Sequence, residues 1–315
     1  MLQQTTVATV LGRYDAFLRQ FPTLADLAAA AVEQVIDAWA GLGYYSRARN
    51  LHASAWRIQA EFDGVFPADT DLLQQLPGIG RSTAGAIVAI AFDRPAPILD
   101  ANVRRVLCRL FALQQPPRSA AAEKLLWAWA EQLTPEQDVH DYTQGMMDLG
   151  AMICLPTNPQ CECCPVNHFC LAYKEGLQQD IPPKTTKKLV PTRYQAVVLL
   201  QRQGRLPVRR RPVAGFLGGL WEFPTVDVEQ VADAQAVVRG FIQQMGLTGD
   251  PVLVGTSHHT YSHFKLESLV YLVDLADSFL VAETQDQWKT AEELETLALH
   301  GAHKKVFEKV RDAGT

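Results

Sequence analysis

Five of the six cysteines fall between Cys154 and Cys170, and four of them form the pattern Cys154-x6-Cys161-x2-Cys164-x5-Cys170. Four thiolates on one short loop can close a cage around a [4Fe–4S] cluster. They can also hold one structural zinc ion in a tetrahedron. A disulfide framework is the weaker reading, because the sequence opens on no secretion signal. Cys163 is the spare: it adjoins Cys164, and two adjacent thiols do not easily reach one metal corner. Cys108 sits in an apolar helical pattern and reads as core.

A second stretch suits a different chemistry. Leu76-Pro77-Gly78-Ile79-Gly80-Arg81-Ser82-Thr83 places two glycines around one apolar residue between two helical patterns. The backbone can turn tightly there and leave amides at the start of a helix, where the dipole is positive and a phosphate is welcome. Thr70 is the expected cap of the first helix, and the second is expected to begin at Ser82 or Thr83. An ordinary C-cap followed by an N-cap has the same appearance. One helix further on, beyond Pro95 and Pro97, come Asp100, Asn102 and the Arg104-Arg105 pair. A single carboxylate beside basic residues suits chemistry on a nucleotide, although by itself Asp100 also reads as an N-cap.

The elements that must position these residues are helical at first. Thr23 is the expected cap of a helix through Leu27, and Val32 to Trp39 form another. Gly41-Leu42-Gly43-Tyr44-Tyr45-Ser46-Arg47-Ala48-Arg49 offers flat rings beside two arginines. Such rings can wedge into a base stack, or can simply pack as a core pair. Gln144 to Gly150 closes the helical part, with methionines that read as core filling. Lys174 to Val190, holding Pro182-Pro183 with Lys184, Lys187 and Lys188, reads as a linker.

Beyond it the period changes to that of strands: Tyr194 to Leu200, a turn at Gly204, then Gly215-Phe216-Leu217-Gly218-Gly219-Leu220-Trp221-Glu222-Phe223-Pro224 and a helix near Ala234 to Met245. In His258-His259-Thr260-Tyr261-Ser262-His263-Phe264, strand alternation is expected to set His259, Tyr261 and His263 on one face. A metal site there is the weaker alternative. The 315 residues suffice for two domains, and 48% hydrophobic with 20% charged residues describes a globular chain. A net charge of −5 excludes a generic polycation that binds nucleic acid by bulk electrostatics, but not a local DNA-binding face. No apolar run reaches membrane-spanning length, which implies a cytoplasmic protein.

The hairpin, Asp100 and the cysteine spacing together resemble the helix-hairpin-helix DNA glycosylase superfamily, and within it the adenine DNA glycosylase (MutY) family, over nearly all of the chain. The fold so implied is α + α/β: an all-helical helix-hairpin-helix glycosylase with an iron–sulfur loop at 1–173, a linker at 174–190, and a Nudix-like α/β domain at 191–315 that recognises 8-oxoguanine. The resemblance implies a [4Fe–4S] cluster on Cys154, Cys161, Cys164 and Cys170, and double-stranded DNA with A:8-oxoguanine or A:G mispairs as partner of a monomer. It makes Asp100 catalytic, stabilising positive charge on the deoxyribose. It gives DNA-contacting roles to Gln4, Tyr44, Gly78, Gly80, Ser82, Asn102, Tyr261, Ser262 and His263. Ser82 stands where related lyases carry a Schiff-base lysine, so the implied enzyme is monofunctional.

Three departures from the pattern stand out. The family's general-acid glutamate lies two residues upstream of the position of Met1, and no capping residue is expected ahead of the first helical pattern, so an N-terminally incomplete chain with impaired activity is expected. The loop between Cys154 and Cys161 carries no basic residue. The Nudix frame reads Arg239-Gly240-Phe241-Ile242-Gln243-Gln244-Met245-Gly246, without the carboxylates that hold divalent metals, which implies recognition without hydrolysis. The competing expectations are an endonuclease III-like glycosylase/lyase and a non-catalytic lesion-binding protein.

Overall fold

The computed structural model describes residues 1–3, 5–183, 190–275 and 286–312. Its elements run α1 (Val7–Gln20), α2 (Leu24–Ala29), α3 (Val32–Ala38), α4 (Ser46–Glu61), α5 (Thr70–Gln74), α6 (Arg81–Phe92), α7 (Ala101–Leu110), α8 (Ala120–Leu133), α9 (Val139–Asp148) and α10 (Leu171–Lys174). Then follow β1 (Thr192–Gln201), β2 (Leu206–Arg210), β3 (Trp221–Glu222), β4 (Thr225–Val228), α11 (Ala234–Gln244), β5 (Val252–Thr260), β6 (Lys265–Asp274), β7 (Gln287–Lys289), α12 (Ala291–Thr296) and α13 (Gly301–Asp312). The expected succession of a helical half and an α/β half is the observed one. The chain groups into two compact units, Met1–His52 with Lys188–Thr315, and Ala53–Lys187.

The unit of Ala53–Lys187 is helical. Its core gathers Leu99, Val103 and Leu107 with Leu113, Leu126 and Ile181, so α7 runs through the middle. α6 approaches the Pro97 segment at Gly85, where a Cβ would overlap the Pro97 carbonyl oxygen. Only a residue without a side chain permits that approach. α9 ends in a π-helical turn over Leu149–Ile153, and Gly150 there faces Asn102 so closely that a Cβ would stand 2.6 Å from the asparagine's own Cβ.

In the other unit, Ala196 to Leu200 reads as an unbroken apolar run, and the structure explains it: β1 is buried on both faces. Val197 and Leu199 point into one core, Ala196, Val198 and Leu200 into the other. The sheet order is β4-β1-β6-β5, with β1 parallel to β6 and antiparallel to β4; a smaller sheet runs β3-β2-β7. α11 covers one face through Val238 and Ile242. The opposite face is closed by Val306, Phe307 and Val310 of α13 and by Ile36 of α3, so the N-terminal helices share this core. Along β5, the carbonyls of Thr256 and His258 accept from Lys309 and Lys305 of α13.

Two caps differ from expectation. α1 begins within the chain, where Thr6 accepts from the Thr9 amide, so the first helix does have a capping residue. α5 is capped by Asp69, whose carboxylate takes the amides of Asp71 and Leu72, because a charged oxygen one residue earlier outcompetes the Thr70 hydroxyl. Thr23 caps α2 as expected, in a capping box with Asp26. Gln4 and the cluster Lys184, Lys187 and Lys188 lie outside the described residues.

Candidate active site

The helix-hairpin-helix is α5, the turn through Gly78, and α6. Gly78 has φ +76°, a backbone state that favours glycine, and Gly80 caps α6 without a side chain to occupy its first amides. α6 begins at Arg81, one residue ahead of expectation. Two carbonyls leading into the turn are held by α4: Ser54 donates to Pro77 O at 2.8 Å, and Arg57 donates to Gln75 O. Arg81 stacks 3.8 Å over Trp127 and pairs with Glu131.

Ser82 opens the link from the hairpin to Asp100. Its hydroxyl accepts the Leu99 amide at 2.9 Å, which ties the first turn of α6 to the residue before Asp100. Asp100 then caps α7, with Oδ1 accepting from the Val103 amide at 2.7 Å. The N-cap reading of Asp100 therefore holds, and the cap engages one carboxylate oxygen, Oδ1.

The Arg104-Arg105 pair is spent inside the fold. Arg104 binds Glu123 and Pro117 O. Arg105 donates to Asn102 Oδ1 at 2.9 Å, to Gly150 O at 2.7 Å and to Cys154 O at 2.7 Å, and burial lowers its pKa. Gln144, on exposed α9 surface, donates to Asp148 at 3.1 Å.

Cys154, Cys161, Cys164 and Cys170 line one cavity together with Arg109, Asn167, Tyr173 and Gln178. Cys163 is exposed, does not line that cavity, and donates to Gln160 O at 3.3 Å. Burial, and then the neighbouring thiols, push Cys161 and Cys164 up from the ordinary thiol value. Four thiols around one hollow are a donor set suited to a cationic metal centre. Among the described residues no group of three or more such side chains converges on a single ion.

Arg109, which the sequence did not single out, is the buried polar pillar of this loop. It donates to Ile181 O at 2.9 Å, Leu155 O at 2.7 Å and Cys154 Sγ at 3.3 Å. Its only sequence signal is a cation inside an apolar helical pattern. Cys108 beside it is core, with burial pushing its thiol up to about 11.

Within the other unit, Tyr44 is exposed at φ +46° between the glycine turn and α4. Arg47 lies over both Tyr44 and Trp39 and donates to the carbonyls of Met1, Leu42 and Gly43 and to Thr5 Oγ1, so it is a fastener of this segment rather than a free cation. At the far end of β5 the expected alternation fails. The strand stops at Thr260, and Tyr261 to Phe264 form a tight turn closed by Tyr261 N–H to Phe264 O at 2.9 Å.

Ser262 and His263 are exposed at the tip of that turn, so His263 does not share a strand face with His259 and Tyr261. The Tyr261 ring packs against His259, Phe264 and Phe216, and its hydroxyl meets His300 Nδ1 at 3.5 Å. Burial pushes that hydroxyl up to about 12. His300 and His303, also unremarked in the sequence, lie with ring centroids 3.9 Å apart, tilted by 40°, and burial drives both well below the ordinary imidazole value. A metal cluster of histidines does not form here among the described residues.

A hairpin that presents amides, a carboxylate fixed at the next helix start, and a four-thiol loop define a helix-hairpin-helix base-excision glycosylase with a Nudix-like second half. Residues 1–132 match the HhH-GPD superfamily base excision DNA repair protein model, and residues 195–309 match the NUDIX domain. A thermostable thymine-DNA glycosylase superposes with a TM-score of 0.50 at 30% identity, covering 55% of this chain and 80% of that one.

The human adenine DNA glycosylase is 36% identical over 98% of this chain, which spans 66% of that protein's length. The adenine DNA glycosylase of Buchnera aphidicola subsp. Schizaphis graminum is 33% identical over 88% of this chain and 78% of its own length. The chain belongs to the adenine DNA glycosylase family. Among its described residues no helix is long and apolar enough to cross a membrane.

Proposed function

We propose that this chain removes adenine mispaired with 8-oxoguanine or guanine from double-stranded DNA, acting as a monomeric, monofunctional N-glycosylase of base excision repair in the bacterial cytoplasm. The observation that carries the reading is Asp100, a carboxylate tied at once to the hairpin helix through Leu99 and Ser82 and to α7 as its cap. In functional terms residues 1–173 hold the excision chemistry, 174–190 link, and 191–315 read the opposite base.

Breaking an N-glycosidic bond develops positive charge on the deoxyribose, and a fixed carboxylate lowers the energy of that charge. Asp100 takes this role. Asn102, two residues on, orients the DNA beside it, and the amides around Gly78 and Gly80 hold a backbone phosphate. Tyr44, with Gln4, wedges into the stack while the adenine turns out. Ser82 cannot form a Schiff base, so the product is an abasic site in an uncut strand. Tyr261 supports a turn that offers Ser262 and His263 to the 8-oxoguanine.

Cys154, Cys161, Cys164 and Cys170 would hold a [4Fe–4S] cluster, with Arg109 beside Cys154 offsetting negative charge. Bound there, such a group supplies a redox-capable, charged node that orders its loop.

The test is single-turnover adenine release from A:8-oxoguanine and A:G duplexes. It uses this chain and the same chain carrying the upstream segment that holds the family's general acid. Release without strand cleavage by either form supports the proposal. Tight binding with no release by either form would make it a lesion-binding protein instead. Strand cleavage at oxidised pyrimidines would favour the lyase reading.

A further inference from the structure

Tyr44 and the Tyr261–Phe264 turn are far apart in sequence but belong to one compact unit. What joins them is the loop between β2 and β3. At its C-terminal end, Gly219 (φ +77°) lies against Ile36 so tightly that a Cβ would overlap the isoleucine Cδ1. Gly218 O accepts from Arg49 of α4 at 2.9 Å. Tyr45, the immediate neighbour of Tyr44, packs on the same core as Ile36. In its middle, Phe216 meets the Tyr261 ring edge-on at 5.1 Å and Phe264 at 5.7 Å. Arg211 holds Phe216 O at 3.2 Å. Just ahead of it, Arg210, the last residue of β2, pairs with Asp37 of α3 and lies 5.1 Å over Trp221.

An aromatic wedge and a base-reading turn must keep a fixed spacing if both are to engage one base pair at once, because misplacement by an ångström costs contacts on both sides. The loop contacts the mounting of each. We infer that residues 211–220 form a strut that sets the spacing between Tyr44 and the Tyr261–Phe264 turn, with Arg210, Arg49 and Phe216 as positioning residues for discrimination of the base opposite adenine. This role rests on the function proposed above. It needs no contact of the strut with DNA: Arg210 and Arg49 are engaged with protein, and Phe216 acts through Tyr261.

The experiment is a charge exchange across the Asp37–Arg210 pair, with Phe216→Ala alongside. Two readouts are taken on the full chain, in whichever form releases adenine: the ratio of single-turnover release from A:8-oxoguanine to that from A:G, and hydrogen exchange at the Tyr261 amide without DNA. Asp37→Arg and Arg210→Asp should each lower the ratio by about fivefold, and Phe216→Ala similarly. Each should also speed exchange at Tyr261. The double exchange should return both readouts close to wild type, and an unfolding midpoint taken on each variant separates a changed ratio from lost stability.

An unchanged ratio in Phe216→Ala and both single reversals would overturn the strut. Should no form release adenine, the proposed function has failed, and the strut is then judged by exchange alone. Faster exchange at Tyr261 in Asp37→Arg would uphold the mechanical link, and an unaltered rate would overturn it.

Discussion

The capping bond of Asp100 and its proposed catalytic role can be separated by a pair of substitutions. Its Oδ1 accepts the Val103 amide at 2.7 Å as the cap of α7, and in the proposed mechanism its charge meets the cation that develops on the sugar. Asparagine keeps a side-chain oxygen and is as good a cap as aspartate, so Asp100→Asn should leave stability within a few tenths of a kcal/mol. Alanine removes the acceptor and should cost about 1 kcal/mol, a fall of about 2–4 °C in the unfolding midpoint. Catalysis should not follow that order. Both variants lose the charge, and a transition-state interaction of this kind is worth about 3 kcal/mol, or about 10²–10³ in rate. The assay is single-turnover release from an A:8-oxoguanine duplex, with binding and thermal unfolding measured on the same samples. Asp100→Asn retaining more than about a tenth of the wild-type rate would refute the reasoning, since that corresponds to under about 1.4 kcal/mol of lost stabilisation.

Other expectations follow from the packing and the titrating groups. Gly85→Ala must push the Pro97 carbonyl aside and should cost about 1–3 kcal/mol in a denaturation midpoint while slowing release; wild-type stability would contradict the close approach. Cys170→Ser should lower bound iron and sulfide per chain, measured chemically and by visible absorption, whereas full retention would remove Cys170 from the ligand set. Burial lowers His300 from an ordinary 6.5 to about 3, and lowers His303 as well, so the unfolded chain binds more protons below about pH 6.5. Stability present above that value should fall as pH drops towards 5, by about 1.4 kcal/mol per pH unit for each histidine. Urea midpoints read this, and His300→Gln should flatten the slope.

The sequence makes contiguous chemistry visible. The helix-turn-helix around Gly78 and the strand from Tyr194 to Leu200 are each written in a few neighbouring residues, and both take the form expected of them; the cysteine spacing brings its four thiols to the lining of one cavity. What it hides is settled by distant partners. Arg104 and Arg105 look like a basic patch until Glu123, Gly150 and Cys154 claim them. Arg109 gives almost no signal, because the carbonyls that justify burying it come from Leu155 and Ile181. Tyr261 to His263 read as a strand by alternation, but the chain reverses at Phe264, and no residue there announces the turn as Asn-Gly would. Ile36 has the pattern of any helix core residue; only the fold reveals that its neighbours are Val197 and Leu220.

The two α13 lysines bonded to β5 bear on self-association. Among the described residues β5 pairs with β6 alone, and it exposes Val252, Leu253 and Val254. An apolar strand with one open side invites a neighbour in solution to add another strand. Lys305 and Lys309 put ammonium groups on the carbonyls of His258 and Thr256, next to that side. Those two amines therefore stand beside the edge that an added strand would use. Acylating them should increase self-association, which light scattering before and after acylation reads.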